Sequence, residues 1–233
     1  MSHIITAGSE RFFTKMKYVD VNGISVAYTE PYSASYKLPG GVAFANLYCD
    51  VVSEKVNTLY EFCSGPGFIG FTLLSKGLCD KVIFSDINPV AIECLLKTIE
   101  INDLGGKVKI FWSDGLKHIP YNIKSDLVVS NPPHHSELYD GCRELLHIDL
   151  NWELHKDYYR NLHKILNKNG HSLLLENSSN GKADGMYDGP GSKISDFTEM
   201  IDQNLKIKLV NTFKSELESK YYFIDVTLEN NNE

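Results

Sequence analysis

A glycine-rich turn between an apolar run and a helical pattern constrains this sequence more than any other feature. Residues 58–62 have the pattern of a buried strand, Gly65-Pro66-Gly67 forms a tight turn, and apolar residues from Phe68 onwards recur at helical spacing. Glycine adopts left-handed backbone angles and lets the chain approach a ligand closely. Such a strand–turn–helix unit binds nucleotide-like ligands in open α/β sheets, and Gly65-x-Gly67-x-x-Gly70 also has the spacing of dinucleotide-binding proteins.

The rest of the chain alternates between strand and helix patterns, after a helix expected between Val42 and Val56. The predicted strands are 58–62, 81–86, 107–111, 125–130, 170–176, 205–213 and 221–228, and the predicted helices are 68–76, 88–102, 150–166 and 193–203. This order predicts an α/β, Rossmann-like fold with a seven-stranded, mostly parallel sheet. The connection 215–220 is too short for a helix, so the last two strands are expected to form an antiparallel C-terminal β-hairpin.

Two further segments are expected to lie beside the sheet. Asn22-Gly23 between two alternating runs predicts a short N-terminal β-hairpin, and the Pro- and Gly-rich residues 29–41 predict a flap. We therefore divide the chain into residues 1–41, a hairpin with a substrate flap, and residues 42–233, the ligand-binding domain. The long loop 177–192 follows the fifth strand of the sheet and is expected to be a lid or a substrate loop.

Composition excludes several classes of protein. The 233 residues include no run of 18 apolar residues, so no membrane span is predicted, and no signal peptide is recognised. Five cysteines without a Cys-x-x-Cys pair fit a reduced, cytoplasmic protein. A net charge of −7 argues against a large nucleic-acid footprint, although a small basic patch remains compatible with it.

Acidic residues follow three successive predicted strands. Glu61 lies in the end of the first, Asp86 ends the second, and Asp114 comes just after the third. The carboxyl ends of parallel strands line the ligand crevice of an open sheet. Asp86 lies about 20 positions after the glycine turn, where an acid binds ribose hydroxyls in nucleotide-binding folds.

A rigid corner follows the fourth strand of the sheet. In Asn131-Pro132-Pro133-His134 two prolines fix the backbone and remove two N–H donors. The corner therefore presents one amide side chain, backbone carbonyls and a planar ring at the crevice.

The histidines do not predict a metal site. His134 and His135 are adjacent on an extended segment and point to opposite faces, which is poor geometry for chelation. His155 and His163 lie in the predicted helix 150–166 and are interpreted as surface or half-buried side chains.

Three stretches together resemble a known family. Residues 61–70, 86–89 and 126–134 are similar to the ordered motifs of class I S-adenosylmethionine (SAM)-dependent methyltransferases. The nearest branch carries Asn-Pro-Pro-Tyr or its variants and includes glutamine N5, rRNA guanine N2 and amino-methylating DNA enzymes. The resemblance covers residues 42–228 and favours SAM over a nicotinamide cofactor, because Asn-Pro-Pro-aromatic is not expected after the fourth strand of a nicotinamide-binding fold.

The resemblance implies a cofactor site and a catalytic site. The implied cofactor-binding residues are Glu61, Cys63, Ser64, Gly65, Gly67, Asp86, Ile87, Ser113, Asp114 and Asn131. The turn would cradle the methionine part of SAM with Glu61 near its amino group, Asp86 would accept the ribose hydroxyls, and Ile87 would pack on the adenine. Asp114, together with Trp112, would meet the adenine edge.

The implied catalytic residues are Asn131, Pro132 and His134. The Asn131 side-chain oxygen and the Pro132 carbonyl would accept hydrogen bonds from a substrate amino group. His134 replaces the usual Tyr or Phe that stacks on the planar acceptor.

The acceptor is expected to be a planar nitrogen of a small molecule or peptide. About 40 residues precede the leading helix, without the helical domain of the release-factor enzymes, and the chain is acidic. N-methylation of an RNA base or of a protein glutamine is the alternative. A non-catalytic SAM- or NAD-binding module is the alternative from another class.

Overall fold

The computed structural model describes residues 15–29, 40–137, 148–177, 193–214 and 221–229. Its strands are β1 (Lys17–Val21), β2 (Ile24–Tyr28), β3 (Val56–Phe62), β4 (Cys79–Asp86), β5 (Val108–Trp112), β6 (Ser125–Ser130), β7 (Leu166–Asn177), β8 (Ile207–Lys214) and β9 (Tyr221–Leu228). Its α-helices are α1 (Gly40–Val51), α2 (Phe68–Ser75), α3 (Pro89–Ile101), α4 (Glu153–Asn161) and α5 (Ile194–Asp202).

Seven strands form one sheet in the order β5-β4-β3-β6-β7-β9-β8. The pairs from β5 to β7 are parallel, whereas β9 is antiparallel to both β7 and β8. The predicted α/β, Rossmann-like fold with an antiparallel C-terminal hairpin is therefore confirmed. The strand order reverses between β3 and β6, and ligands bind at such a reversal in open α/β sheets.

Two apolar clusters pack on the two faces of the sheet. One contains side chains of α1, α2 and α3, such as Tyr48, Phe71 and Leu95, and the other contains side chains of α4 and α5, such as Tyr158 and Phe197. Strands covered on both faces must be apolar throughout, which explains the near-continuous apolar runs in β3, β4 and β6.

The N-terminal hairpin joins the first of these clusters. Asn22 and Gly23 both have positive φ angles, of 50° and 89°, as a two-residue type I′ turn requires. The Asn102 side chain at the end of α3 accepts from the Ser25 amide and donates to the Ser25 carbonyl, both at 2.9 Å. Val26 is fully buried in the cluster, so β1 and β2 pack as part of the same core.

The predicted helix 150–166 is shorter in the structure. The α-helical part is α4, flanked by 3-10 turns at residues 150–152 and 162–164. Asn151 and Trp152 adopt left-handed φ angles of 54° and 58°, which break regular helix geometry. Asp149 compensates, because its carboxylate accepts from the backbone amides at the start of α4.

Strand β7 begins at Leu166, four residues before the predicted start. The strand continues through the polar run Asn167-Lys168-Asn169-Gly170, with a register shift between Ser125 and Leu127 of β6. A Cβ at Gly170 would lie 3.0 Å from the Ser125 carbonyl oxygen, so this close approach suits glycine.

Parts of the predicted flap and lid lie outside the described residues. Helix α1 starts inside the predicted flap, of which residues 30–39 are not described, and residues 178–192 of the long loop are not described either. In the described segments, no helix is both long enough and apolar enough to cross a membrane.

Candidate active site

The sheet brings the glycine turn, Asp86 and Asn131 together at the carboxyl ends of its parallel strands. Phe62 of β3 pairs with Ser85 of β4, and Asp86 of β4 pairs with Trp112 of β5. On the other side, Glu61 of β3 pairs with Val129 of β6. The glycine turn, Asp86 and Asn131 therefore follow neighbouring strand ends, on the two sides of the strand-order reversal.

The glycine turn uses left-handed backbone at alternate positions. Cys63, Gly65 and Gly67 have φ angles of 51°, 51° and 84°. The turn is closed by the Gly67 amide, which donates to the Ser64 carbonyl at 2.9 Å, and it is tied to β4 by the Ser64 amide, which donates to the Ser85 carbonyl at 3.0 Å. These bonds fix the backbone that connects β3 to α2.

Glu61 lies beneath this turn. It is buried, and its Oε2 accepts from the Gly70 amide at 2.6 Å. Burial raises the pKa of Glu61 to about 8, opposed by hydrogen bonds from the amides of Gly70 and Ile69. The carboxyl group thus holds the first turn of α2, and any contact with the amino group of SAM stays a prediction.

Asp86 links the glycine turn to the next helix. Its Oδ2 accepts from the Gly65 amide at 2.7 Å, and its Oδ1 accepts from the Asn88 amide at 2.8 Å. Burial raises its pKa, while these amides and that of Ile87 lower it. Each carboxylate oxygen has two lone pairs, so both oxygens keep acceptor capacity for hydroxyl groups.

An apolar ledge lies beside Asp86. Ile87 is 51% exposed and Trp112 is 65% exposed, and the indole Nε1 donates to the Ile87 carbonyl at 2.7 Å. Exposed side chains of this size at a strand-end crevice offer flat apolar surface to a ring system such as adenine.

Ser113 and Asp114 have partners within the protein. The buried Ser113 hydroxyl donates to the Gly115 carbonyl at 2.8 Å, and the Ser113 amide donates to the Asp86 carbonyl at 3.0 Å. Asp114 forms an exposed ion pair with Lys117 at 2.6 Å. These contacts shape the loop after β5 beside the ledge.

Buried hydroxyl groups fix the strand end before the Asn131 corner. The Tyr48 hydroxyl of α1 lies 2.5 Å from the Ser130 carbonyl and 2.8 Å from the Leu173 carbonyl, and it accepts from the Ser130 amide at 3.1 Å. The Ser130 hydroxyl donates to the Phe62 carbonyl at 2.5 Å. The ends of β3, β6 and β7 are thereby held together next to Asn131.

A line of polar side chains, which we call the buried relay, runs inward from this corner through Asn131, His134, Glu176, His155 and Asp149. Asn131 Oδ1 lies 2.9 Å from His134 Nε2, and His134 Nδ1 lies 3.3 Å from Glu176 Oε2. Glu176 Oε1 lies 2.9 Å from His155 Nε2, and His155 Nδ1 lies 2.6 Å from Asp149 Oδ2. Glu176 is 0% exposed and His155 is 1% exposed.

Within the buried relay, Glu176 and His155 stabilise each other's charge. Burial alone would lower the pKa of His155, but the charge of Glu176 and the hydrogen bonds with Asp149 and Glu176 raise it to about 9. Burial would raise the pKa of Glu176, but the charge of His155 and the bonds from both histidines lower it. The pair is therefore ionised at neutral pH.

Sequence reasoning missed most of the buried relay. His155 is fully buried rather than a surface or half-buried side chain, and the sequence patterns did not single out Glu176 or Asp149. One signal could have identified Glu176: like Glu61, it interrupts the apolar run of a strand close to its carboxyl end. Its partners could not be identified locally, because they belong to other elements.

The groups at the crevice suit SAM chemically. Asp86 retains acceptor capacity for hydroxyls, and Ile87 and Trp112 expose apolar surface for a ring. Among the described residues, no group of three or more His, Cys, Asp or Glu side chains is arranged to hold a metal ion.

Part of the chain is similar to known methyltransferases. Residues 45–148 match the family described as the methyltransferase small domain. The ribosomal RNA small subunit methyltransferase C of Actinobacillus succinogenes is 28% identical over 156 residues, which cover 61% of this chain and 45% of that relative. The match therefore spans less than half the length of that curated relative.

Solved structures share the fold at low sequence identity. The 16S rRNA N2 G1207 methyltransferase of T. thermophilus, in complex with AdoMet and guanosine, has a TM-score of 0.61 at 13% identity, over 92% of this chain and 50% of that one. A TehB-like SAM-dependent methyltransferase of Corynebacterium glutamicum has a TM-score of 0.54 at 18% identity, over 81% of this chain and 88% of that one. The chain therefore has the fold of these SAM-dependent methyltransferases, and its residues 45–148 are similar to the methyltransferase small domain.

Proposed function

We propose that this protein transfers the methyl group of SAM to the exocyclic amino group of a guanine base in RNA. The observation that carries the proposal is the rigid Asn131-Pro132 corner beside the glycine turn. An amide oxygen and a backbone carbonyl are two acceptors, which match the two N–H bonds of one amino group. The hydroxyl groups of Tyr48 and Ser130 hold this corner against the end of β3.

We assign SAM to the strand ends on the other side of the reversal. The backbone of Cys63, Ser64, Gly65 and Gly67 would hold its methionine part, and Asp86 its ribose hydroxyls. The ledge of Ile87 and Trp112, with Ser113 and Asp114 beside it, would take the adenine. When bound, SAM supplies an electrophilic methyl group on a sulfonium.

The protein's part in the reaction is to position the acceptor. The lone pair of an amino group on an aromatic base is delocalised into the ring, so this nitrogen is a weak nucleophile. Asn131 Oδ1 and the Pro132 carbonyl would hold its N–H bonds and direct the lone pair towards the methyl group. Orientation of this kind lowers a barrier by up to about 7–11 kcal/mol. The proton leaves after the transfer, when the nitrogen has become acidic, so a strong base is not needed.

The names of the relatives favour RNA over the small-molecule or peptide acceptor expected from the sequence. They are ribosomal RNA methyltransferases of the small and large subunits, and one structural neighbour was solved with guanosine. The net charge of −7 does not conflict with a single base entering the crevice, because base contacts are local whereas phosphate contacts need a basic surface. The planar ring of His134 is assigned to stack on this base.

Methyl transfer to transcribed RNA tests the proposal. The protein is incubated with tritium-labelled SAM and an in vitro-transcribed small-subunit ribosomal RNA, which is then digested to nucleosides and analysed by mass spectrometry. We expect label in N2-methylguanosine. A matched transcript with inosine in place of guanosine lacks the exocyclic amino group and should take up no label.

Three outcomes would overturn the proposed function. Equal labelling of the inosine transcript would place the methyl group elsewhere on RNA. Labelling of peptides or small molecules in a fractionated cell extract, with no label in RNA, would restore the acceptor class expected from the sequence. No labelling in any fraction would favour a non-catalytic SAM-binding module.

A further inference from the structure

The inner end of the buried relay fixes the protonation of His155. Both of its ring nitrogens face carboxylate oxygens, at 2.6 Å from Asp149 and 2.9 Å from Glu176. A carboxylate only accepts hydrogen bonds, so both ring nitrogens must carry a proton. The two oxygens of Asp149 also accept hydrogen bonds from the amides of Leu154 and His155 at the start of α4.

Several described titratable groups near the buried relay are uncharged at neutral pH. Among the described residues, burial raises the pKa of four titratable side chains near Glu176, namely Tyr48, Tyr158, Tyr159 and Cys63. The His155 ring stacks on Phe197 and meets the edge of Trp152, and the His134 ring lies 6.2 Å from the ring of Tyr221. Glu176 supplies the carboxylate that faces His134 Nδ1.

Glu176 decides which nitrogen of His134 carries a proton. One Glu176 oxygen accepts from His155, and the other faces His134 Nδ1 at 3.3 Å. Because this oxygen is an acceptor, Nδ1 must donate to it. A neutral His134 is consequently the Nδ1–H tautomer, with a bare lone pair on Nε2.

The Asn131 amide must then present to His134 Nε2 a group that can hydrogen-bond with it. In the structure the nearer amide atom is Oδ1, at 2.9 Å from Nε2. Contact with Oδ1 requires a proton on Nε2, and hence a doubly protonated His134. An Nε2 without a proton is an acceptor, so the Asn131 amide must rotate and donate from its NH2 group. This rotation turns Oδ1 away from the histidine. Only the second arrangement leaves Oδ1 available to accept an N–H bond of the methyl acceptor.

We propose that Asp149, His155 and Glu176 are positioning residues that keep His134 in the Nδ1–H tautomer, and that neutral His134 thereby turns the Asn131 amide oxygen towards the acceptor. This inference rests on the proposed function, since it concerns the same amide oxygen. With no proton on Nε2 of His134, the Asn131 oxygen is available to the methyl acceptor.

Glu176→Gln tests the proposal, because it retains the shape of the side chain and reverses the tautomer of His134. The glutamine oxygen can accept from His155, and its NH2 group then donates to His134 Nδ1. His134 becomes the Nε2–H tautomer, which binds Asn131 Oδ1. An inverted histidine tautomer has large effects on catalysis elsewhere. We expect kcat on the guanosine transcript to fall at least 100-fold, with the Kd for SAM within threefold of wild type.

A second readout needs neither a variant nor activity. Long-range 1H–15N correlation spectra of the histidine-labelled wild-type chain with S-adenosylhomocysteine, recorded from pH 5.5 to pH 8.5, report the protons on each ring. We expect His155 to stay doubly protonated up to about pH 8. We expect neutral His134 to be the Nδ1–H tautomer, with no proton on Nε2.

The control is His171→Gln on β7, which removes a more exposed histidine paired with Asp225 at 3.0 Å. It should leave kcat and its pH profile unchanged. An Nε2–H tautomer of neutral His134 in the wild type, or a Glu176→Gln kcat within threefold of wild type, would overturn the proposal. If no RNA is methylated, the proposed function fails, while the spectra still decide the tautomer.

Discussion

Asn131 is the residue on which the proposed chemistry depends most directly. Asn131→Ala removes the amide oxygen but leaves the backbone of Ser130, which Tyr48 holds from the other side. We expect the single-turnover rate to fall by about 10²–10³-fold, the usual effect of losing one aligned hydrogen-bonding group at a reacting centre. Calorimetric titration should show the Kd for SAM within threefold of wild type.

The matched control for this prediction is Asn57→Ala. Asn57 is exposed at the amino end of β3, at the opposite edge of the sheet from the candidate site. Its replacement should leave both the rate and the Kd unchanged. A single-turnover rate for Asn131→Ala close to that of wild type would contradict the amide-acceptor mechanism.

The sequence predicted the location of some site residues better than that of others. Asp86 and Asn131 lie next to their own motif, so the local pattern placed both at the strand-end crevice. His155 has ordinary helical surroundings in the sequence, and only the packing of α4 against the sheet brings it between Asp149 and Glu176. A buried charge that depends on partners from distant elements leaves no local signature.

At the scale of elements, the β3–α2 connection needs glycine for two separable reasons. Gly67 has a φ angle of 84°, and a Cβ there would lie 2.7 Å from Leu95 and 2.8 Å from Phe84. Gly77, after α2, has a φ angle of 72°, and a Cβ there would meet nothing within 4 Å. Gly77→Ala therefore introduces backbone strain alone. Gly67→Ala introduces the same kind of strain and, in addition, a steric clash of the new Cβ with Leu95 and Phe84.

We expect Gly77→Ala to lower the free energy of unfolding by about 1–2 kcal/mol. Gly67→Ala should lower it by about 1–3 kcal/mol more, the usual cost of overpacking a core. Only Gly67→Ala should also weaken SAM binding. Urea denaturation and calorimetry measure the two effects, and equal losses of stability in both variants would show that the clash is relieved by movement of Leu95 and Phe84.

Elements were predicted best where one signal dominated. Asn22-Gly23 fixed the hairpin, and Asn88-Pro89 fixed the start of α3, where the Asn88 side chain accepts from the Val90 amide. The predicted start of β7 was wrong. Residues Asn167 to Gly170 have the composition of a turn, yet pairing with β6 extends the strand through them. Tertiary pairing outweighed local propensity there.

At the scale of the whole molecule, the buried titratable groups make stability depend on pH. The pKa of His155 is about 9 in the folded protein, above the ordinary value of 6.5. The unfolded chain therefore loses this proton first, and the stabilisation is complete below pH 6.5 and lost as pH rises through 9. The loss is on the order of 3 kcal/mol. Glu61, with a pKa of about 8 against 4.5, acts in the same direction from pH 4.5 to 8.

Urea denaturation of the SAM-free protein at several pH values measures this dependence. The free energy of unfolding should fall from pH 6.5 to pH 9, and below pH 4.5 it should fall again as Glu176, whose pKa is lowered, takes up a proton. His155→Gln should cost about 3–5 kcal/mol at pH 6.5, because it leaves two buried carboxylates without their cation. His171→Gln, at a more exposed pair, should cost less than about 1 kcal/mol. A wild-type stability that stays level or rises between pH 6.5 and pH 9 would show that His155 is neutral in the folded protein, and the charge assignment of the buried relay would then be wrong.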